Sequence, residues 1–444
     1  MELPRAGLAA LALAFSQVAA QSVDLSATSD LTFLEGTREA QITSQTGPPT
    51  GPYSSYASKI TLLRSSDTES DWLTSTPTSL FPTVATGTIT TVTHLTETET
   101  GTVAKNGGET SPTRANPTKA QPCNEYMELC KRKYSNITMV GAHNSPFVRP
   151  GNAGSNQELP VRTQLDDGIR FIQAQIRWPT NGLVPHFCHT SCDLLDAGPI
   201  TEWLTEVRKW VDEHPYDVVT ILLGNGNRSH PDLYVPYIQQ TGILKYAYHA
   251  PYLPMALDDW PTLGEMITMG KRVVMFIDYI SDQKKYPWLL DEFSQMWETP
   301  FDPLDRDFPC TVQRPPNLTE KSAKNRLYLH NHNLNVEFDI FGTKIHVPAV
   351  ALLTETNAVS GYGSLGLAAN NCRSEWGRPP NILNVDYYNY GSFCGSVFKV
   401  AAQINNVTYD RNSSCGPTNP APRLAQASLW VTLLVALLSA YLLI

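Results

Sequence analysis

Two histidines stand at points where the sequence predicts the end of a strand. His143 follows the β-branched and apolar run 137–142, and His189 closes the segment 186–189. Imidazole titrates near pH 6.5, so two such rings can act as base and acid on one phosphodiester. His186 is the alternative for the second position. Each histidine alone would be assigned a structural role, but the two together predict a site that cleaves phosphodiesters.

Five stretches of the chain resemble the X domain of the phosphatidylinositol-specific phospholipase C superfamily. The resemblance spans about residues 123–405 and is nearest to the secreted fungal PLC-like phosphodiesterases. It implies an α/β fold, a distorted (β/α)8 barrel of the TIM type. The stretches occur in the family's order: GAHNSPF (141–147), LDDGIRFIQAQIRW (165–178), PHFCHTSCDLLDAG (185–198), HPYDVVTILLGN (214–225) and PNILNVDYYNYG (380–391).

The resemblance implies a role for each catalytic candidate. His143 matches the base that takes a proton from the inositol 2-hydroxyl, and His189 matches the acid that protonates the leaving diacylglycerol oxygen. Asp386 matches the carboxylate that fixes the tautomer of the base, with Asp278 as a less favoured substitute. The substrate hydroxyl is then the nucleophile, and a cyclic phosphate is the first product.

The predicted substrate-binding residues depart from the family pattern. Calcium-dependent members carry carboxylates where this chain has Gln173, Gln175 and the region of Asn225, and only Asn144 fits a calcium site. Calcium prefers several charged oxygens, so we expect neither calcium nor another cofactor. Metal-free members have an arginine at the position of Gln175. Arg177 lies two residues on, hence on the same strand face, and can reach a phosphate instead.

The remaining pattern alternates between strands and helices. Helical spacing covers 200–213, where Trp203, Leu204, Val207 and Trp210 are predicted core residues, and 290–297 also reads as helical. Alternation over roughly 280 residues indicates a parallel α/β fold, and that length fits a (β/α)8 barrel with its chemistry at the carboxyl ends of the strands. Strands are predicted at 218–223, 272–277, 326–329 and 381–385.

Composition and the chain ends indicate a secreted protein. The net charge of −9 over 444 residues argues against a nucleic-acid partner. Residues 1–20 read as a signal peptide, and 413–444 as a GPI-attachment signal with Ser414 as the attachment residue. A C-terminal membrane anchor is the alternative. We expect a monomer at the plasma membrane or cell wall that acts on a phosphoinositide-like lipid or another phosphodiester.

Residues 21–122 are rich in Ser and Thr and are predicted to be disordered and O-glycosylated, ahead of a barrel domain at 123–412. Sequons predict N-glycosylation at Asn136, Asn317 and Asn406. A secreted route also favours disulfides.

The cysteine spacing suggests the local bridges Cys123/Cys130 and Cys188/Cys192, which leaves the other cysteines to pair among themselves. A zinc site at Cys188, His189 and Cys192 is the alternative to the second bridge. Attachment of an anchor at Ser414 conflicts with this scheme, because Cys415 would leave with the tail.

Two other functions compete with a two-histidine phosphodiesterase. At Gln173 and Gln175 the chain lacks the charged residues that the family carries. This difference is compatible with a catalytically silent surface protein that binds an inositol- or sugar-phosphate. A metal-dependent sphingomyelinase of similar barrel fold would need a carboxylate cluster near the first histidine, and Asn144, Gln173 and Gln175 argue against it.

Overall fold

A computed structural model of the chain describes residues 51–56, 58–62, 121–180, 182–340, 343–410 and 415. Eight parallel strands form one curled sheet in the order β6-β7-β8-β1-β2-β3-β4-β5. Neighbours in the sequence are therefore neighbours in the sheet, except that β5 and β6 are not hydrogen-bonded to each other. The strands are β1 (Met139–Ala142), β2 (Phe171–Arg177), β3 (Val219–Asn225), β4 (Val273–Ile277), β5 (Leu289–Asp291), β6 (Met296–Glu298), β7 (Leu327–Asn331) and β8 (Ile382–Val385).

This architecture is a distorted (β/α)8 barrel that is open at a seam between β5 and β6, and it confirms the predicted fold class. Antiparallel hairpins are added at His186–His189 with Leu195–Pro199, and at Asn335–Ile340 with Thr343–Pro348. The α-helices of the described residues are α1 (Val161–Asp167), α2 (Ile200–Glu213), α3 (Val235–Gln240), α4 (Leu263–Thr268), α5 (Glu292–Gln295), α6 (Glu320–Lys324), α7 (Leu353–Thr356), α8 (Leu365–Trp376) and α9 (Ser396–Ile404).

Side chains alternate along each strand between the helices outside and the lumen inside. On β2, Ile172, Ala174 and Ile176 pack outward against the helices, in the same cluster as Leu204 and Val207 of α2. The apolar lumen cluster includes Phe171, Leu222, Phe276, Leu290, Leu329 and Ile382. Two residues further toward the carboxyl ends of three of these strands lie Gln173, Asn331 and Asn384, and Asn384 Nδ2 donates to both Gln173 Oε1 and Asn331 Oδ1, so the lumen becomes polar at that end.

The helix predicted at 290–297 is wrong. The segment contains β5, the single turn of α5 and β6, all within ten residues. Two three-residue strands are too short to show a two-residue alternation, and Phe293 of the buried turn between them falls at helical spacing from Leu290 and Trp297 of the strands. The sequence pattern therefore resembles one amphipathic helix.

Four disulfides join cysteines of the described residues. Two of them are the predicted local bridges, Cys123–Cys130 and Cys188–Cys192, and the others are Cys310–Cys372 and Cys394–Cys415. The last bridge requires Cys415 in the mature chain, which is at odds with anchor attachment at Ser414. Ser414 itself, the signal peptide and the apolar tail lie outside the described residues.

The sequon asparagines Asn136, Asn317 and Asn406 are all exposed, so a glycan at any of them would meet no steric barrier from the fold. Among the described residues, no helix combines the length and apolar character needed to cross a bilayer.

Residues 51–56 and 58–62, here called the strap, lie inside the stretch predicted to be disordered, yet they pack on the barrel. Ile60 and Thr61 pair antiparallel with Leu253 and Tyr252. At the other end of the strap, the Tyr53 ring lies 4.8 Å from that of Phe293 in α5. The strap thus covers the region of β5, where neither neighbouring connection supplies a helix longer than one turn.

We expect Tyr53→Ala to lower the free energy of unfolding by about 2 kcal/mol, because it removes two aromatic contacts and their buried area. These contacts are with Phe293 and with Tyr279, whose ring centroid lies 5.6 Å away. Urea unfolding measures the loss. Ser55→Ala, at an exposed strap position, is the control. Equal stability of the two variants would mean that the strap is not docked in solution.

Buried carboxyl groups accumulate beside the seam. Asp291, at the end of β5, is 1% exposed, and its burial raises its pKa to about 7. Burial also raises the pKa of Asp278 to about 6 and that of Glu292 well above its usual value. Arg314 is the cation of this group and donates from Nη1 to Glu298 Oε2 at 2.9 Å.

These shifts predict that stability falls as pH rises from about 4 toward 7. The unfolded chain releases the Asp291 proton near pH 4 whereas the folded protein keeps it, so the folded state binds more protons across this window. Asp291 alone contributes a decline on the order of 4 kcal/mol. We expect Asp291→Asn to flatten the pH dependence of urea unfolding, while the exposed Asp193→Asn leaves it unchanged. Parallel curves for Asp291→Asn and the parent protein would contradict this assignment.

Candidate active site

His143 and Asp386 meet because the first and last barrel strands are paired. Ala142 of β1 and Val385 of β8 are register partners, so the next residue of each strand emerges at the same point. His143 Nδ1 lies 2.8 Å from Asp386 Oδ1, and the two residues are only 4% and 3% exposed. The carboxylate accepts the Nδ1 proton, which leaves the Nε2 lone pair of His143 available as a base.

Both strands turn sharply directly after these two residues. Asn144 and Tyr387 have positive φ angles of 48° and 43°, a backbone conformation that residues other than glycine seldom adopt. Gln157 fixes both turns, since its Nε2 donates to the carbonyl oxygens of His143 and Val385 at 2.9 Å each. Sequence reasoning missed Gln157, which lies in a loop without periodicity.

His189 ends the first strand of the hairpin that follows β2, rather than a strand of the barrel itself. Its ring centroid lies 5.2 Å from that of Phe147, and it is near enough to His143 and Arg177 for their charges to affect its pKa. The competing His186 forms a separate pair, with Nδ1 at 2.8 Å from Asp196 Oδ2. The structure therefore brings His189 to His143 and gives His186 its own carboxylate partner.

The pKa values of the two histidines shift in opposite directions. Burial and, to a smaller extent, the charges of His143 and Arg177 lower the pKa of His189 to about 4, against the opposing effect of Asp302. Burial also acts to lower the pKa of His143, but the charge and hydrogen bond of Asp386 outweigh it and raise this pKa. In the protein alone, His143 is thus the more readily protonated of the two.

The predicted roles require the reverse, an uncharged His143 and a protonated His189. A phosphodiester anion bound between the rings favours protonation of His189, since no carboxylate of the described residues forms an ion pair with this ring. Asp302, in the loop after β6, is the residue whose charge favours protonation of both rings, and sequence reasoning missed it. No sequence pattern identifies Asp302, because its effect depends only on how close the fold brings its charge to the two rings.

Arg177 ends β2, and its register partner on the neighbouring hairpin is His186. Its Nε is buried and has no hydrogen-bond partner among the described residues, and its burial lowers its pKa. The guanidinium lies against Gly226, where an added Cβ would be 2.9 Å from Cζ of Arg177. Gln175 lies beside Gly224, its register partner on β3. Arg177 thus has an unsatisfied donor at the end of a row of polar side chains on one face of β2, formed by Gln173, Gln175 and Arg177.

The other predicted substrate-binding residues divide into two groups. Asn144 keeps a buried Oδ1 without a partner among the described residues, whereas Gln173 Oε1 already accepts a hydrogen bond from Asn384 at 3.0 Å. Asn225 is fully buried and uses its whole amide within the loops after β3 and β4: Nδ2 donates to the carbonyls of Ser229 and Tyr279, and Oδ1 accepts from Tyr234. These contacts favour a structural role for Asn225.

Asp278, the substitute for Asp386, lies apart from His143. Its Oδ1 accepts from the backbone N–H of Asn225 at 2.6 Å, and its Oδ2 is 3.8 Å from Arg314. Among the described residues, one group has the spacing of metal ligands, namely Cys310, His330 and Cys372. Its two cysteines are joined in a disulfide, as are Cys188 and Cys192 of the predicted zinc alternative, so neither pair offers thiolate ligands.

Comparison with known proteins identifies the family. The family model described as PI-PLC X 1 matches residues 129–405. The chain belongs to the PI-PLC X family. An "Uncharacterized secreted protein" of Arthroderma benhamiae is 53% identical over 302 residues, which cover 68% of each chain. A "PI-PLC X domain-containing protein 1" of the same fungus is 42% identical over 274 residues, covering 61% of this chain and 86% of that protein.

Solved structures of PI-PLC enzymes are more distant. The phosphatidylinositol-specific phospholipase C of Listeria monocytogenes aligns with a TM-score of 0.41 at 15% identity, covering 63% of this chain and 96% of that one. A double mutant of the Staphylococcus aureus enzyme gives 0.42 at 13% identity, with 64% and 96% covered.

We expect Asp386→Asn to lower the pKa of His143 in this PI-PLC X protein. The carboxylate charge that raises this pKa would be gone, and burial, which favours the neutral ring, would remain. NMR titration of the histidine rings measures the shift. Asp196→Asn is the matched control, because it removes the carboxylate of His186. A His143 pKa that moves equally in both variants would show that the buried pair does not form.

Proposed function

We propose that this protein is a phosphodiesterase of the phospholipase C type, which cleaves a phosphoinositide-like or related phosphodiester by two-histidine acid/base catalysis. The observation that carries the proposal is the buried His143–Asp386 pair beside His189 and Arg177, at the carboxyl ends of neighbouring barrel strands. In barrels of this kind the chemistry occurs at that end. Membership in the PI-PLC X family supports the same class of reaction.

The mechanism follows from the tautomer of His143. Its Nε2 takes the proton of a substrate hydroxyl next to the phosphate, and that oxygen attacks phosphorus. His189 gives a proton to the departing oxygen, and a cyclic phosphate forms as the bond to the leaving alcohol breaks. Arg177, with its unsatisfied buried donor, stabilises the charge that develops on the phosphoryl oxygens.

The residues near the site do not fit the calcium ion used by some members of the fold family. Gln173 and Gln175 are amides, and Oε1 of Gln173 is already engaged by Asn384. Asn144 Oδ1 is a buried oxygen without a partner, but one neutral oxygen is a poor calcium ligand set. We therefore assign Arg177, and not a metal ion, the charge-stabilising role.

The proposal extends to location. A relative that is 53% identical is named a secreted protein, and the four disulfides suit an oxidising compartment. We propose that the chain is secreted and held at the cell surface by a GPI anchor. Because Cys394 is bridged to Cys415, we propose an attachment residue after Cys415 instead of Ser414. The proposed substrate is then a membrane lipid or a cell-surface phosphodiester. We propose that the protein acts on it as a monomer.

A catalytically silent surface protein that binds an inositol- or sugar-phosphate is the second candidate. It is favoured by the departure at Gln175, where metal-free relatives carry an arginine, and by the full engagement of Asn225 in its own loop. Such a protein would keep the phosphate contacts of the site without using His189 as an acid.

A turnover assay tests the proposal. The secreted full chain is given phosphatidylinositol and a GPI-like lipid, with and without EDTA. We expect release of a cyclic inositol phosphate that EDTA does not affect. His143→Ala and His189→Ala should each reduce kcat/KM by about 10² to 10⁴, since each removes a proton-transfer group. His186→Ala is the matched control and should stay within a few-fold of the parent.

The alternatives give different results. Full activity of both alanine variants would refute the two-histidine mechanism. Loss of activity with EDTA would mean that a metal is required, against our assignment of Arg177. Binding of an inositol phosphate without any turnover would favour the silent binding protein.

A further inference from the structure

Asn156 contacts three residues of the site and has no assigned role. It comes from the loop between β1 and α1 and is 1% exposed. Its Nδ2 donates to Asp386 Oδ1 at 3.0 Å and lies 3.3 Å from His143 Nδ1. Its Oδ1 accepts a hydrogen bond from Asn144 Nδ2 at 3.2 Å. One buried amide therefore joins the base, its carboxylate and the neighbouring polar residue.

The position requires a side chain with a donor at one end and an acceptor at the other. Reversing the amide would place its oxygen against the Asp386 carboxylate, so the neighbours determine its orientation. Asp386 Oδ1 accepts hydrogen bonds from both His143 Nδ1 and Asn156 Nδ2, whereas Oδ2 is buried without a partner among the described residues. Asn156 thus supplies a second contact that keeps Oδ1, rather than Oδ2, facing the imidazole.

The backbone of Asn156 is fixed from both sides. Its N–H donates to the carbonyl of Phe147 at 3.0 Å, in the loop that follows His143. Its carbonyl accepts from the N–H of Tyr387 at 2.8 Å, directly after Asp386. These two backbone bonds hold Asn156 in place relative to His143 and Asp386. The loop thereby connects the ends of β1 and β8.

We infer that Asn156 is a positioning residue, which holds the Asp386 carboxylate against His143 Nδ1 and couples Asn144 to the same unit. This inference rests on the proposed function, because the tautomer it protects is the one in which His143 Nε2 can act as a base. Asn156 touches neither the reacting hydroxyl nor the phosphorus. Its effect on turnover passes through Asp386 and His143.

Two substitutions separate this role from a packing role. Asn156→Asp preserves shape and the contact with Asn144, but places a second carboxylate about 3 Å from Asp386. We expect it to raise the pKa of His143 by about one unit or more and to move the acidic limb of kcat/KM to higher pH. Asn156→Ala removes the second contact, and we expect kcat to fall on the order of 10²-fold with KM little changed.

Asn389→Ala is the matched control. Asn389 Nδ2 donates to Glu158 Oε2 at 2.6 Å, so it also links an asparagine to a carboxylate between the same two loops, but away from His143. It should leave both the His143 titration and the pH profile unchanged. Thermal unfolding of all three variants records any loss of packing.

The ring titration by NMR does not depend on turnover, so the two hypotheses can fail separately. A His143 titration that is unchanged in Asn156→Asp, with loss of thermal stability alone, would overturn the positioning role. If Asn156→Asp does not fold, the His143 Nδ1 proton signal decides. Its loss in Asn156→Ala, with retention in Asn389→Ala, supports the role, and its retention in both overturns it. A parent protein without turnover but with the shifted titration would refute only the proposed reaction.

Discussion

The buried contact between His143 and Asp386 is the constraint on which the site depends. It joins residues 243 positions apart in the chain, at the ends of the first and last barrel strands. Removing one partner of such a pair leaves the other buried without compensation, which costs several kcal/mol. The barrel must therefore complete its β1–β8 pairing before this contact exists, so the proposed site depends on the formation of the whole fold.

The parts of the site that the sequence predicts are those that follow from strand ends. His143 and Asp386 come directly after short apolar runs, and parallel strands bring such positions to one end of the sheet. The helix at 200–213 and the buried strands near 218–223 and 272–277 were also predictable, because their apolar spacing is regular. The barrel follows from this alternation together with the resemblance.

Other features could not be predicted, for identifiable physical reasons. Asn156 and Gln157 lie in a loop, where no periodicity separates a buried amide from an exposed one. The strands β5 and β6 have three residues each, too few to show alternation. Residue type also does not show which polar side chains of β2 are already engaged: Gln173 accepts a hydrogen bond from Asn384, whereas the Nε of Arg177 remains without a partner among the described residues.

The strap changes the meaning of the Thr-rich stretch that follows it. Residues 51–62 contact the barrel, and residue 121 begins the domain that forms it, so residues 63–120 connect two points on one body. The stretch is therefore attached to the barrel at both of its ends, whereas a stalk would be attached at one end only. One proteolytic cut there would leave the strap on a separate chain that no disulfide joins to the barrel, because all eight cysteines follow residue 122.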